Sequence, residues 1–174
     1  MKNHPSNNVA EIGGAQGMLP VIHLKKILVP VDFSNGSKKA LQYAISFAGQ
    51  FGAELTLLHI IQPAVTAPAF DTLPQEMAES TEDAEKSLAE FRRSVGEEIP
   101  TNSLIRKGSP HMEIIDAAKE LEVDLLILST HGRTGLSHVL LGSTAEKIVR
   151  RASCPVMIVR EHEHEFIRVS DTKR

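Results

Sequence analysis

Four short runs, Ile27–Val31, Leu55–Ile61, Val123–Leu128 and Pro155–Val159, are of strand length and apolar nearly throughout. A strand of that composition has no polar face to show to water, so it must be covered on both sides. The segments between the runs carry helical spacing instead. Ala40, Leu41, Ala44, Ile45, Ala48 and Phe51 mark one helix over Ser37–Phe51, with Gly52 as its stop. A long polar helix is predicted from Gln75 to about Val95. A third carries Ile114, Ile115, Ala118 and Leu121 behind Ser109 and Pro110, a cap followed by proline at the first helical position. A fourth carries Ala145, Ile148, Val149 and Ala152. Thr101–Ile105 reads as a weak additional strand. Strands that alternate with helices and are apolar on both faces imply an α/β fold, a parallel sheet wound doubly by right-handed crossovers.

Bulk properties agree with one such domain. The chain has 174 residues, 41% of them hydrophobic and 24% charged. A formal charge of −3 gives no global field for nucleic acid or an anionic membrane. One cysteine, Cys154, excludes an intrachain disulfide and reads as a small buried residue. Met1 to Pro20 is polar, without the apolar stretch of a secretory signal, so a cytoplasmic protein is expected. The chain divides into a flexible arm over 1–24, a domain over 25–160 and a charged tail over 161–174.

In doubly wound sheets ligands bind beyond the strand C-termini, where the winding reverses. Two segments compete there. Pro30-Val31-Asp32 follows the first strand, and Pro30, lacking an N–H, should end that strand or make it irregular. Asp32-Phe33-Ser34-Asn35 supplies turn and cap chemistry. The second segment, from Ser129 through His131, Gly132 and Arg133 to Gly142, Ser143 and Thr144, is far longer than a simple βα turn. Its glycines allow close backbone approach to an anion, and the helix that follows offers free N–H groups and a positive dipole end to a phosphate. Ser143 is predicted as that helix's N-cap, with Glu146 completing a capping box. Ser143 and Thr144 add hydroxyl donors, and Arg133 adds a cation. No GxxxxGK[ST] and no GxGxxG after the first strand is present, so neither kinase-like phosphate chemistry nor ordinary dinucleotide binding is expected.

The runs Ile27-Leu28-Val29-Pro30-Val31-Asp32-Phe33-Ser34, Leu57-Leu58-His59-Ile60, His131-Gly132-Arg133-Thr134-Gly135, Leu140-Leu141-Gly142-Ser143 and Cys154-Pro155-Val156-Met157-Ile158-Val159 resemble the universal stress protein family over Lys25–Arg160. The resemblance implies a Rossmann-like, adenine nucleotide alpha hydrolase-like fold with five parallel strands in the order 3-2-1-4-5 and helices on both faces. It implies ATP binding, with or without Mg²⁺, through the pattern G-x2-G-x9-G-[ST]. Gly132, Gly142 and Ser143 match that pattern, and Ser129 stands at its first glycine. Asp32 matches a ribose- or metal-contacting acid, whose alternative role is a helix-capping turn. Val31, Ile60 and Leu128 match positions lining the adenine pocket. A stress-survival role as a nucleotide-dependent switch follows, with a homodimer through the strand Pro155–Val159 and a protein partner whose identity is open.

Two other classes are weighed. An adenylate-handling enzyme would need a catalytic motif after the first strand, where none is recognised, so slow ATP hydrolysis is the most catalysis expected. A nucleotide-free dimeric adaptor is the stronger rival, resting on Ser129. His59, His131 and His138 have no spaced partner for a metal, and His162 and His164 read as part of a solvated tail. Lys147, Arg150 and Arg151 suit a helix C-terminus rather than a nucleic-acid patch.

Overall fold

The computed structural model describes residues 20–63, 79–130, 141–161 and 167. The elements run β1 (Lys26–Pro30), α1 (Asn35–Phe51), β2 (Glu54–Ile61), α2 (Thr81–Arg93), β3 (Thr101–Lys107), α3 (Pro110–Glu120), β4 (Leu125–Ser129), α4 (Ser143–Arg151) and β5 (Val156–Val159). The strands form one sheet in the order β3-β2-β1-β4-β5, and every pairing is parallel. The expected fold class and strand order are what the structure shows.

Alternate strand residues divide the interior in two. Ile27, Val29, Leu55, Leu57, Ile127 and Val159 join Ala40, Leu41, Ala44, Ala48 and Leu88 in a core beneath α1 and α2. Leu28, Leu58, Ile60, Leu126 and Leu128 join Ile114, Ala117, Ala118, Ala145 and Ile148 in a second core beneath α3 and α4. The split follows from the winding. β1 to β3 advance one way and β4 to β5 the other, so right-handed crossovers put the first two helices and the last two on opposite faces. Leu24 is buried in the first core, and Ile167 packs against its edge. Among the described residues no helix is long and apolar enough to cross a membrane.

Local chemistry sets the element ends, in places against expectation. α1 stops at Gly52, which is left-handed (φ 67°) and donates its N–H to Ala48 O. α2 starts at Thr81 rather than near residue 75. Ser80 has an extended backbone there, and its hydroxyl accepts from the Asp83 N–H while donating to Asp83 Oδ2. β4 starts at Leu125, not Val123. Glu122 turns left-handed (φ 51°) and the Val123 N–H returns to Ala118 O, so Val123 closes α3 instead of opening a strand. β3 runs two residues past its expected end, to Lys107, and Gly108 carries its pairing on through an N–H bond to Ile61 O. At the foot of the sheet one carboxylate spans two strands. The N–H groups of Lys25 and Lys26 both donate to Asp124 Oδ2, at 2.8 and 2.9 Å.

Leu126 sits at the centre of the second core and is fully buried. Truncation should lose its transfer energy and leave a cavity between two ordered layers. Leu126→Ala is expected to lower the unfolding free energy by about 2–5 kcal/mol, read as a shift of the urea midpoint at constant slope.

Candidate functional site

The winding reverses between β1 and β4, and there the strands part. β1 stays registered with β2 as far as Pro30↔Leu58, and β4 with β5 as far as Ser129↔Val159. The β1–β4 register holds only Ile27↔Leu125 and Leu28↔Leu126. Backbone geometry accounts for the difference. A residue of a central parallel strand turns its N–H to one neighbour, and the next residue turns its own to the other. The Val31 N–H donates to Leu58 O on β2, at 2.8 Å. Pro30 would therefore bond to β4, and it has no N–H to do so. The rung that would continue the β1–β4 ladder is missing, at the reversal where a doubly wound sheet has its ligand crevice. Continued at the same offset, the register would set Pro30 opposite Leu128 and Val31 opposite Ser129.

On the β1 side, Val31 is buried and Asp32 starts a tight turn. Asp32 Oδ1 accepts from the Ser34 N–H (3.1 Å) and from the Ser34 hydroxyl (2.6 Å). Ser34 in turn caps α1, its Oγ accepting from the Ser37 N–H at 3.2 Å. Asp32 thus acts on the helix cap from two residues before it. Phe33 lies between them with φ 66°, a left-handed backbone costing of order 1–3 kcal/mol in a residue with a Cβ. Its ring offsets that cost by stacking on His59 at 4.4 Å and meeting the edge of Phe91 at 5.2 Å. Ile60, one residue beyond His59, is buried at the end of β2.

On the β4 side, Leu128 is buried, Ser129 half-buried, and Thr130 only 7% exposed. Thr130 is a clasp. Its N–H donates to Val159 O (3.0 Å), and its carbonyl accepts from the Gly142 N–H (2.9 Å). The start of α4 is thereby fastened to the end of β4. Gly142, extended at φ −66° and ψ 152°, is the N-cap, with no side chain bonded across it. The expected cap at Ser143 is corrected: its N–H is already in the first turn, because Glu146 N–H donates to Gly142 O. The capping box falls with it, and Glu146 instead accepts from Arg150 Nε and Nη2, at 3.1 and 3.0 Å. Helix geometry leaves the N–H groups of Ser143, Thr144 and Ala145 without an acceptor inside α4. His131, Gly132 and Arg133 lie outside the described residues.

The topology thus gathers Pro30, Val31, Asp32, Leu128, Ser129, Gly142, Ser143 and Thr144 around one crevice, with Ile60 at the end of the next strand. Sequence reasoning missed Thr130, which looks like one more loop hydroxyl until its backbone bonds are seen. It also passed over His59, 3% exposed and doubly hydrogen-bonded. A shallow concavity between α2 and β3, lined by Glu85, Leu88, Arg92, Ile105 and Lys107, lies at the far edge of the sheet. It is two strands from the reversal and has none of the crevice's helix-terminus chemistry. Cys154 is half-buried, and burial pushes its thiol up, away from the reactive thiolate.

The chain is similar to known proteins in sequence and in fold. The model of the universal stress protein family matches residues 23–160. Universal stress protein MJ0531 of Methanocaldococcus jannaschii is 34% identical over 146 residues, covering 81% of this chain and 85% of the relative. The solved structure of MJ0577, from the same organism, superposes with a TM-score of 0.69 at 27% identity, over 82% of this chain and all of the other. A universal stress protein solved in complex with cAMP superposes with a TM-score of 0.62 over 81% of this chain and 100% of its own. At 21% identity that likeness is one of fold.

The missing rung is testable without a ligand. Pro30→Ala restores an N–H on the β4 side. In the variant the residue 30 amide should exchange with deuterium as slowly as that of Leu28, while thermal stability stays within about 1 kcal/mol of the parent. A fast-exchanging amide would mean that something other than the proline holds the strands apart.

Proposed function

Because the chain belongs to the universal stress protein family, we propose that it binds an adenine nucleotide, ATP, in the crevice between β1 and β4 and acts as a nucleotide-dependent regulatory protein of stress survival in the cytoplasm. The observation that carries this reading is the Thr130–Gly142 clasp, which holds the open first turn of α4 against the gap left by Pro30. That turn suits a phosphate group: uncapped N–H groups and the positive end of the helix dipole, flanked by the hydroxyls of Ser143 and Thr144. Glu146 would oppose an anion there, but its carboxylate is paired with Arg150 one turn further on. Val31, Ile60 and Leu128 give the apolar contact an adenine ring needs. Asp32, held by Ser34, offers a carboxylate to the ribose or to a Mg²⁺ counter-ion. His131, Gly132 and Arg133 complete the site in this reading.

Turnover should be slow at best. The segment from Ser129 to Ser143 contains no lysine, and Lys25 and Lys26 stand at the opposite end of β1. The rival reading, a nucleotide-free adaptor, draws on Ser129, whose side chain stands where the family pattern has glycine.

Gly142→Val separates the two. The extended backbone at Gly142 accepts a β-branched residue, so the fold should survive while the new side chain crowds the phosphate seat. Calorimetric titration with ATP, with and without Mg²⁺, is expected to show roughly tenfold or weaker binding in the variant, about 1.4 kcal/mol. Equal affinities would remove the site, and a parent that binds no ATP would leave the adaptor reading.

We also propose that the protein is a homodimer through β5, the edge of the sheet. The Pro155 and Val159 carbonyls face β4, accepting from the N–H groups of Leu126 and Thr130. Pro155 therefore lacks its N–H on the inner side, and among the described residues the outer edge carries the N–H and C=O groups of Val156 and Ile158, which another strand could pair. An antiparallel pair about a two-fold axis satisfies both edges at once. In sedimentation equilibrium the parent should be dimeric at micromolar concentration, and a Val156→Lys, Ile158→Lys variant monomeric. A monomeric parent, or a fully dimeric variant, would discard the interface.

A further inference from the structure

His59 is buried among groups that only accept hydrogen bonds. Its Nδ1 lies 2.8 Å from the Val31 carbonyl and its Nε2 lies 3.0 Å from Glu79 Oε2. A neutral imidazole has one N–H. Either neutral tautomer would set a ring lone pair against an oxygen lone pair, at the carbonyl or at the carboxylate. The observed geometry therefore needs one proton more than a neutral ring and an ionised carboxylate supply. A proton held between Nε2 and Glu79 Oε2, as in an imidazolium facing a carboxylate, meets that need. The same ring carries the stack beneath Phe33, the left-handed residue between Asp32 and Ser34.

We infer that Phe33, His59 and Glu79 form a proton-dependent latch that positions the Asp32–Ser34 turn at the mouth of the crevice, tying nucleotide binding there to the protonation of the His59–Glu79 pair. The pairing is a property of the fold; its effect on a nucleotide rests on the proposed function. With the proton present, Glu79 holds the ring at its Nε2 edge and the face on which Phe33 stacks stays fixed. As pH rises and the proton leaves, Nε2 and the carboxylate repel, Glu79 withdraws, and the stack loses one side of its support.

Among the described residues, these groups face the pair from the elements packed around it. α2 turns Ala84, Leu88 and Phe91 inward, while Glu82, Asp83, Glu85, Lys86, Glu90, Arg92 and Arg93 are exposed. From β3, Ile105 stands beside His59, with the exposed Lys107 two residues on along the same face. The turn from β1 brings Asp32, engaged with Ser34.

Glu79→Gln gives the decisive comparison. An amide can donate to a bare Nε2 while Nδ1–H still donates to Val31, so the variant closes the latch without the extra proton. The full-length chain would be studied at about pH 6 and about pH 8.5, either side of the range in which histidines change charge. Long-range ¹H–¹⁵N spectra should show two ring protons on His59 in the parent at the lower pH and one at the higher. The Ser34 amide resonance, reporting the turn, should move with them, and ATP affinity should fall roughly fivefold or more. In Glu79→Gln the ring should carry one proton, on Nδ1, at both pH values, with Ser34 and affinity unchanged. A single ring proton in the parent at about pH 6, two retained at about pH 8.5, a Ser34 signal indifferent to the titration, or the parent's pH response persisting in Glu79→Gln would each overturn the latch. Affinity that stays constant while Ser34 moves would overturn its tie to the nucleotide. If the parent binds no ATP at either pH, the proposed function falls, and the ring protons and Ser34 still decide the latch.

Discussion

The central strand of a parallel sheet must satisfy hydrogen bonds on both sides, and β1 has a proline where its last bond to β4 would form. That one absent N–H lies at the position where the order of strands turns back. Elsewhere it would be a defect in the ladder. Here it falls where the winding already parts the strands, with residues of the candidate site on either side. The α1 turn lies on one lip, the start of α4 on the other, and the two cores meet at the strands between them.

Among the described residues, the crevice draws its polarity mostly from backbone. The first turn of α4 presents N–H groups, the Thr130 carbonyl fixes the position of that turn, and Asp32 orients a serine cap instead of pointing a lone charge. Oriented dipoles of this sort bind an anion without a high density of cationic side chains, which fits a chain whose formal charge is −3.

The strained turn shows how local cost is met by distant packing. Phe33 holds a left-handed backbone while its ring is stacked on His59 of the neighbouring strand β2 and edged by α2, elements that come after α1 and after a further long connection in the chain. The position of Asp32 therefore depends on residues that belong to no loop motif. Such dependence makes the lip of the crevice responsive to events in the first core, and a buried imidazole flanked by two acceptors is the most chemically sensitive member of that core.

The sequence by itself determined the fold class, and the family motifs carried the order of the strands. Continuous apolar runs between 3.6-period segments admit little but a covered parallel sheet, and that signal is local, so Leu28, Leu57 and Leu126 could be placed in the core before any coordinates. The irregularity at Pro30 and the stop at Gly52 were legible for the same reason, each being a property of one residue's own backbone. Element ends that depend on hydrogen bonding across space were not. Val123 looks like strand until its N–H is seen returning to Ala118, and Ser143 looks like a cap until the Gly142 carbonyl is found accepting from Glu146. The direction in which Pro30 lacks its bond, the clasp at Thr130 and the burial of His59 between Val31 and Glu79 were decided only by the tertiary structure. A hydrogen bond is made by whatever group the fold brings within 3 Å or so, and a one-dimensional pattern records which residues are present without recording which of them will face each other.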